Sequence, residues 1–279
     1  MIIALFPNLL KKESIHHATE IGQFLKKKGI HVVADDAKAD QIHVDPLSSV
    51  DPQKIAFLIT MGGDGTILEI SNKYCHLEAP ILGINLGHLG YMADVPVSDI
   101  EKSIQDLLDG HFTVDKRLVL EGFDPENRTL RAVNDIVIHR SMNHKLIELL
   151  IEVDGSYVNT FTADGIIIAT PNGSTAYSLA AGGPIISPTV DAIVITPICP
   201  HTISNRPLVL SSDVTIEIRY LSDYDPVEVW ADGLESCRLK SKECLKIKKT
   251  EKTFKLVNLH RHEYFSTLRT KLSWSGRLR

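Results

Sequence analysis

Cysteine is scarce in this chain, and nothing in it is spaced like a disulfide or zinc framework. The 279 residues include four cysteines, Cys75, Cys199, Cys237 and Cys244, none in CxxC spacing. That excludes a disulfide scaffold and leads us to expect reduced thiols in the cytoplasm. Long apolar runs are missing too, since no stretch approaches the roughly 18 consecutive apolar residues of a membrane span. Met1 to Pro7 lacks a basic segment and its apolar run is short, so no secretory leader is expected. Aromatic residues make up only 6%, which leaves few stacking platforms among the lysines for nucleic acid. Internal repeats, low-complexity segments, a Gly-Lys-Ser/Thr phosphate loop and GxGxxG are all absent.

What is present is ordinary for a soluble globular protein: 43% hydrophobic and 23% charged residues, with a net charge of −5. The charge is unevenly placed, with 13 Lys/Arg against 3 Asp/Glu from Arg238 onward. Within that region Leu245-Lys246-Ile247-Lys248 alternates as on the wet face of a strand. A solvated face, or a surface that steers anionic ligands, explains the excess without nucleic acid.

The most informative stretch is Met61-Gly62-Gly63-Asp64-Gly65-Thr66. It follows a buried-type strand run, Ile55 to Thr60, and precedes apolar residues at helical spacing. Such a strand–glycine–helix turn brings backbone N–H groups and the positive end of a helix dipole to an anion. Asp64 does not suit a pure phosphate cradle, because a carboxylate repels phosphate unless it takes a proton or binds a cation. The plainer reading is a tight turn with Asp64 as helix cap.

Before and after this turn the chain alternates strands and helices. Ile2 to Phe6 reads as a strand, followed by a helix capped by Ser14 with Ile15, Ala18, Ile21 and Leu25 inward and Gly29 at its end. Strands Ile30 to Ala34 and Pro80 to Asn85 follow the same rhythm. Ser98-Asp99-Ile100-Glu101 reads as a capping box opening another helix. This alternation predicts a doubly wound α/β domain over 1–115, with ligands beyond the carboxyl ends of the strands. From about 116 to 258 short strand-like runs take over, including Ala132 to His139, Leu146 to Val153, Ile166 to Ala169 and Val227 to Ala231, with turns such as Asp154-Gly155 and Asp232-Gly233. These predict an all-β sandwich. The expected interruption is a short helix, Ser174 to Ala181, capped by Ser174. The tail, 259–279, is expected to return to the first domain through a helix face of Phe265, Leu268 and Leu272.

A second polar concentration runs from Ala163 to Ser178. Asp164-Gly165 precedes a buried-type strand, Pro171-Asn172-Gly173 is a turn, and Ser174-Thr175 offers hydroxyls at a helix start. Either a well-capped connector or an anion- or sugar-binding corner fits. Asn134-Asp135 is a polar pair inside an apolar run, which protein or ligand groups must satisfy.

Together these stretches resemble the NAD kinases (inorganic polyphosphate/ATP-NAD kinases). The resemblance rests on Gly62-Gly63-Asp64-Gly65-Thr66, Asn85-Leu86-Gly87-His88-Leu89-Gly90-Tyr91, Asn134-Asp135, Asp164 through Pro184, Thr196 through His201, Arg206-Pro207-Leu208-Val209 and Tyr264 through Arg269, in the family's order. The first motif is shared with diacylglycerol-type lipid kinases and, loosely, phosphofructokinases; the second long motif is not. The resemblance implies transfer of a phosphoryl group from ATP or polyphosphate to the 2′-hydroxyl of the adenosine ribose of NAD, giving NADP. It makes Asp64 the general base and Gly62, Gly63, Gly65 and Thr66 the phosphate-donor loop. It assigns NAD contacts to Asp64, Gly65, Asn134, Asp135, Lys145, Thr162, Asp164 and the run Thr175, Ala176, Tyr177, Ser178, Leu179, Ala180, with Tyr177 as a stacking platform. It also implies a divalent cation, Mg²⁺, arriving with ATP rather than held in a dedicated protein site, and a dimer or tetramer of identical chains in the cytoplasm.

The chain departs from the family pattern at His88, Tyr91, Ala163 and Leu234. His16-His17 fall on a solvated helix face, His260 and His262 would make two metal ligands at best, and His201 reads as a loop scaffold residue. Two rival readings stay open. A lipid kinase would need an amphipathic basic surface, which is not visible. A catalytically idle NAD(H)-binding regulator would have no need of Asp64.

Overall fold

The computed structural model describes residues 1–274, with the exception of His88, Asp94, Asn143, Ile203 and His262. It divides into two compact units, one formed by Met1–Lys116 with Lys255–Arg279 and the other by Arg117–Phe254. Among the described residues, no helix is long and apolar enough to cross a membrane.

The first unit is built on a sheet whose neighbouring strands run Asp45–Pro46, His31–Ala34, Ile2–Pro7, Ile55–Gly62, Ile81–Asn85, Phe254–Asn258 and Thr113–Arg117, with Val95–Pro96 beside Ile81–Asn85. Its central pairings are parallel. Helices Lys12–Lys27, Asp64–Lys73 and Ile100–Leu108 flank it. Ile3, Leu5, Ile59, Met61, Leu82 and Ile84 bury one face of the sheet against the helical residues Ala18, Ile21, Leu25, Ile104 and Leu107. A strand buried on both faces carries apolar residues at nearly every position, and for that reason the central strands read as unbroken apolar runs.

Both helix starts expected in this unit differ in detail. Ser14 lies inside the helix rather than at its cap, and its buried hydroxyl accepts from Asn8 N (2.8 Å) and donates to the Met61 carbonyl (3.1 Å). It joins the helix to the end of the Ile55–Gly62 strand. The capping box does not form either. A 3₁₀ turn over Val97–Asp99 precedes the helix, and Ser98 Oγ donates to the Asp99 carboxylate. The tail helix, Tyr264–Lys271, belongs to this unit and buries Thr267 and Leu268. Phe265 faces solvent at 62% exposure, contrary to the expected inward face.

The second unit is a sandwich of two antiparallel six-stranded sheets. One runs Leu208–Ser211, Ala192–Ile198, Gly165–Ala169, Asp135–His139, Val227–Ala231, Glu235–Leu239; the other runs Ser156–Ala163, Ile147–Val153, Ile216–Tyr220, Cys244–Lys249, Leu120–Phe123, Thr129–Ala132. Ile136, Ile138, Ile166, Ile168, Ile193 and Ile195 point into the core between the sheets. Val137, Ile167, Ala169 and Val194 alternate with them on the outer face, where Ile186 and Ala181 cover them. Leu208–Ser211, Glu235–Leu239 and, in the first unit's sheet, Phe254–Asn258 are strands outside the runs that the sequence pattern predicts.

The expected strand Ala132 to His139 is in fact two, Thr129–Ala132 in one sheet and Asp135–His139 in the other. The expected helix Ser174 to Ala181 is a 3₁₀ turn, Gly173–Thr175, and a single α-turn, Tyr177–Ala180. Ser174 does not cap it. Its hydroxyl is buried, accepting from Ile186 N (3.0 Å) and donating to the Pro171 carbonyl (2.6 Å).

Candidate active site

The glycine turn of the first unit is shaped by close approach. A Cβ on Gly62 would lie 2.1 Å from Thr66 Oγ1, whereas Gly63 and Gly65 have nothing within 4 Å of that position. Gly63 caps the helix in extended backbone and offers no side-chain acceptor. Thr66 N and Ile67 N turn back onto the Gly63 carbonyl. The turn thus presents open backbone at a helix N-terminus, the arrangement that suits a phosphate.

Asp64 is the first residue of the helix rather than its cap. Its Oδ2 accepts from Tyr91 N (2.8 Å), and its Oδ1 accepts from Met92 N (3.0 Å) and Ala93 N (2.9 Å). A Cβ on Gly90 would meet Asp64 Oδ1 at 2.1 Å, so only glycine lets that loop close around the carboxylate. The same loop is fastened below by Leu86 N on the Gly62 carbonyl (3.0 Å) and by Asn85 Oδ1 accepting from Gly87 N (2.8 Å). The Gly62–Thr66 and Asn85–Tyr91 motifs, 20-odd residues apart, are therefore one hydrogen-bonded assembly. Two carboxylate oxygens offer about four acceptor positions, so one on Oδ2 is left for a ligand. The Tyr91 ring sits 6.5 Å from that of Tyr264. His88 lies outside the described residues.

The second unit holds the other constellation. At the break between Thr129–Ala132 and Asp135–His139, the Asp232 carboxylate accepts from Val133 N (2.8 Å), Asn134 N (2.7 Å) and Asp135 N (3.2 Å). Thr170 adds two bonds, its N to the Asn134 carbonyl (2.8 Å) and its Oγ1 to the Val133 carbonyl (2.6 Å). Asn172 Nδ2 donates to Asn134 Oδ1 at 2.7 Å. Gly173 packs so tightly here that its Cβ would fall 2.0 Å from the Asn134 carbonyl oxygen. The polar pair is thereby held by protein on its backbone side, leaving the Asp135 carboxyl to face a cavity of about 610 Å³. Burial, and secondarily the Asp232 charge, push that carboxyl up to about 7. Burial also raises Asp232, although its three N–H donors oppose the shift.

Asn134, Asp135, Ala176, Tyr177, Trp230 and Asp232 line this cavity together. Other expected contact residues are engaged elsewhere in the unit. Asp164 pairs with Arg140 Nε at 2.7 Å, and the Thr162 carbonyl accepts from the backbone N–H of His201. Thr175 Oγ1 donates to the Asn172 carbonyl, and buried Ser178 Oγ pairs with Thr196 Oγ1 at 2.8 Å. Lys145 Nζ lies 4.8 Å from the centre of the Tyr224 ring. Leu179 and Ala180 belong to the α-turn. Ala163 sits in ordinary strand opposite Ile147, so the absence of glycine there strains nothing. Leu234 is exposed beside the Asp232-Gly233 turn.

Asp232 and Trp230 line this cavity but are not among the contacts expected from the sequence. The Asp-Gly signal marks a turn, but nothing local shows that its carboxylate ties down a segment 97 to 99 residues away. On the Lys12–Lys27 helix, Glu20 lies against both His17 (3.1 Å) and His16 (3.4 Å), grouping three donor atoms at an exposed surface. His260 contacts Thr113 Oγ1, and His262 is outside the described residues.

Comparison with known proteins places the chain in a family. Residues 3–112 match the ATP-NAD kinase N-terminal domain, and residues 133–259 match the ATP-NAD kinase C-terminal domain. The NAD kinase of Protochlamydia amoebophila is 52% identical over 278 residues, covering 100% of both chains. That of Geotalea daltonii is 36% identical, covering 99% of each. Among solved structures, yeast NADH kinase complexed with NADH superposes with a TM-score of 0.88 at 26% identity, over 100% of this chain and 89% of that one. An NAD kinase from Archaeoglobus fulgidus in complex with ATP gives 0.77 at 26% identity, over 99% of this chain and all of the other. The chain belongs to the NAD kinase family of phosphotransferases.

Proposed function

We propose that, in the NAD kinase reaction of this chain, Asp64 orients the 2′-hydroxyl of the adenosine ribose and accepts its proton as the phosphoryl group arrives. The observation that carries this reading is the seating of Asp64. Three backbone N–H groups fix the carboxylate at the mouth of an open glycine turn, with one acceptor position on Oδ2 to spare. Phosphoryl transfer needs in-line positioning and charge stabilisation more than covalent chemistry. A carboxylate is a weak base for a sugar hydroxyl, so its contribution is orientation first and proton acceptance as the bond forms.

In this reading the backbone of Gly63 and Gly65, open around their Cα atoms, meets the triphosphate. ATP is the donor, with polyphosphate as the alternative. Asp64, the carboxylate of the turn, has most of its acceptors committed to backbone, so the divalent cation, Mg²⁺, enters as part of the ATP substrate. When bound it would neutralise phosphate charge. Asn134 and Asp135 bind the dinucleotide, with Tyr177 stacking on it. Lys145, Thr162, Asp164 and the Thr175–Ala180 run remain proposed contacts and shape the surroundings through the bonds described above. A cytoplasmic homo-oligomer is part of the same proposal, supported by exposed Tyr157 and Val158 on the edge strand Ser156–Ala163.

The test is NADP formation from NAD⁺ and MgATP by the wild type beside Asp64→Asn, with melting temperatures measured for both, because an amide must turn its NH₂ toward a backbone N–H. Turnover that collapses in a folded variant supports the assignment. Turnover that survives removes Asp64 from the role, and NAD binding without turnover by the wild type would favour the idle regulator.

A further inference from the structure

Trp230 has no part in the motifs that carry the family resemblance. It lies on the strand Val227–Ala231 directly opposite Val137. The alternation of side chains puts it on the same sheet face as Asp135, His139, Glu228 and Asp232. All of these, with Tyr177, line the 610 Å³ cavity, which is in the size range of small-molecule sites. The indole is held in place, since its Nε1 donates to Glu228 Oε2 at 3.1 Å while Ser141 Oγ donates to Glu228 Oε1 at 3.1 Å. Arg238 approaches the same carboxylate at 3.9 Å. The ring is nonetheless 37% exposed, and Tyr177 in the same cavity is 43% exposed. An immobilised indole that leaves apolar surface in water, inside a concave site with a second exposed ring, is poised to be covered by a flat partner.

We propose that Trp230 is an aromatic wall of the dinucleotide site, stacking on a planar heteroaromatic ring of the substrate and helping to set its affinity. The inference rests on the NAD-binding role proposed above for this cavity. Glu228 is its positioning residue, keeping the indole plane fixed before substrate arrives. Both rings of NAD have the required chemistry, so adenosine diphosphoribose and nicotinamide mononucleotide distinguish adenine from nicotinamide as the stacked group.

The chain has two tryptophans, Trp230 and Trp274, so a Trp274→Phe variant reports Trp230 emission alone. Titrating it with NAD⁺ should quench that emission saturably, with a midpoint tracking the KM for NAD, and one of the two half-substrates should reproduce the effect. In wild-type background, Trp230→Ala should raise the KM for NAD about tenfold, the scale of one base–aromatic stack, leaving the KM for ATP and kcat nearly unchanged. Trp230→Phe should restore much of the loss and, by its melting temperature, show that the strand still folds. Emission that stays constant at NAD levels saturating NADP formation, with an unchanged KM in Trp230→Ala, would overturn the wall. Saturable quenching without NADP formation would instead sink the phosphoryl-transfer reading and leave the wall in place.

Discussion

Removing the carboxylate of Asp232 by Asp232→Ala should destabilise the second unit while leaving the first intact. Three backbone N–H groups, those of Val133, Asn134 and Asp135, lose their acceptor. Leaving each unsatisfied costs about 1–3 kcal/mol, for a gross loss of roughly 3–9 kcal/mol. Two effects oppose it. Asp232 no longer bears its own burial, and its repulsion of Asp135 disappears. A net loss on the order of 2–4 kcal/mol remains, equivalent to about 5–15 °C in melting temperature for a unit of this size. Asp232→Asn should fall between wild type and Ala, because its remaining oxygen can still accept from Asn134 and Asp135 while its NH₂ faces Val133 N–H. Urea unfolding followed by Trp230 emission in the Trp274→Phe background reads this unit selectively. A loss under about 0.5 kcal/mol, or an Asn variant less stable than the Ala variant, would refute the role given to this carboxylate.

Other consequences are equally direct. The Asp135 carboxyl is held up at about 7 in the folded chain, above its ordinary 3.8. Its neutral form is therefore favoured by folding, and that stabilisation is complete below the ordinary value and lost as pH rises through the folded one. Asp135→Asn should accordingly gain stability over wild type progressively from about pH 4 to pH 7 and no further above it, a trend thermal melts across that window would check. Asp232→Ala should lower the Asp135 midpoint measured by carboxyl NMR, yet leave it above the ordinary range because burial is the larger cause. Gly90→Ala places a methyl on Asp64 Oδ1, so kcat should fall by an order of magnitude or more, as for displaced catalytic groups, with the KM for NAD changed far less. Gly173→Ala drives Cβ into the Asn134 carbonyl and should cost at least about 2 kcal/mol together with NAD affinity, measurable by melting and by kinetics.

Local chemistry was enough to read much of this protein from its residues. Unbroken apolar runs such as Ile55 to Thr60 and Ile166 to Ala169 become strands buried on both faces, and the change from βα alternation to short strands marks the passage from parallel sheet to sandwich. The glycine turn with Asp64, and the Asn134-Asp135 pair, stood out because each breaks its local pattern. Signals that depend on a distant partner failed. Ser14 and Ser174 look like helix caps, yet their hydroxyls go to strand and loop carbonyls that only folding brings near. The Ala132–His139 run looks like one strand, and a carboxylate from residue 232 makes it two.

The sequence by itself determined the two kinds of layer, the position of the glycine turn and the family, since period, propensity and short motifs are properties of neighbouring residues. Tertiary structure alone decided what the polar side chains do. It turned Asp64 into a carboxylate seated on three N–H groups of the 91–93 loop, made Asp232 the clamp of the Asn134-Asp135 corner, and set Trp230 beside Tyr177 in one cavity. The physical reason is that a hydrogen bond is short and directional, so its partner is chosen by the path of the backbone in space rather than by separation along the chain.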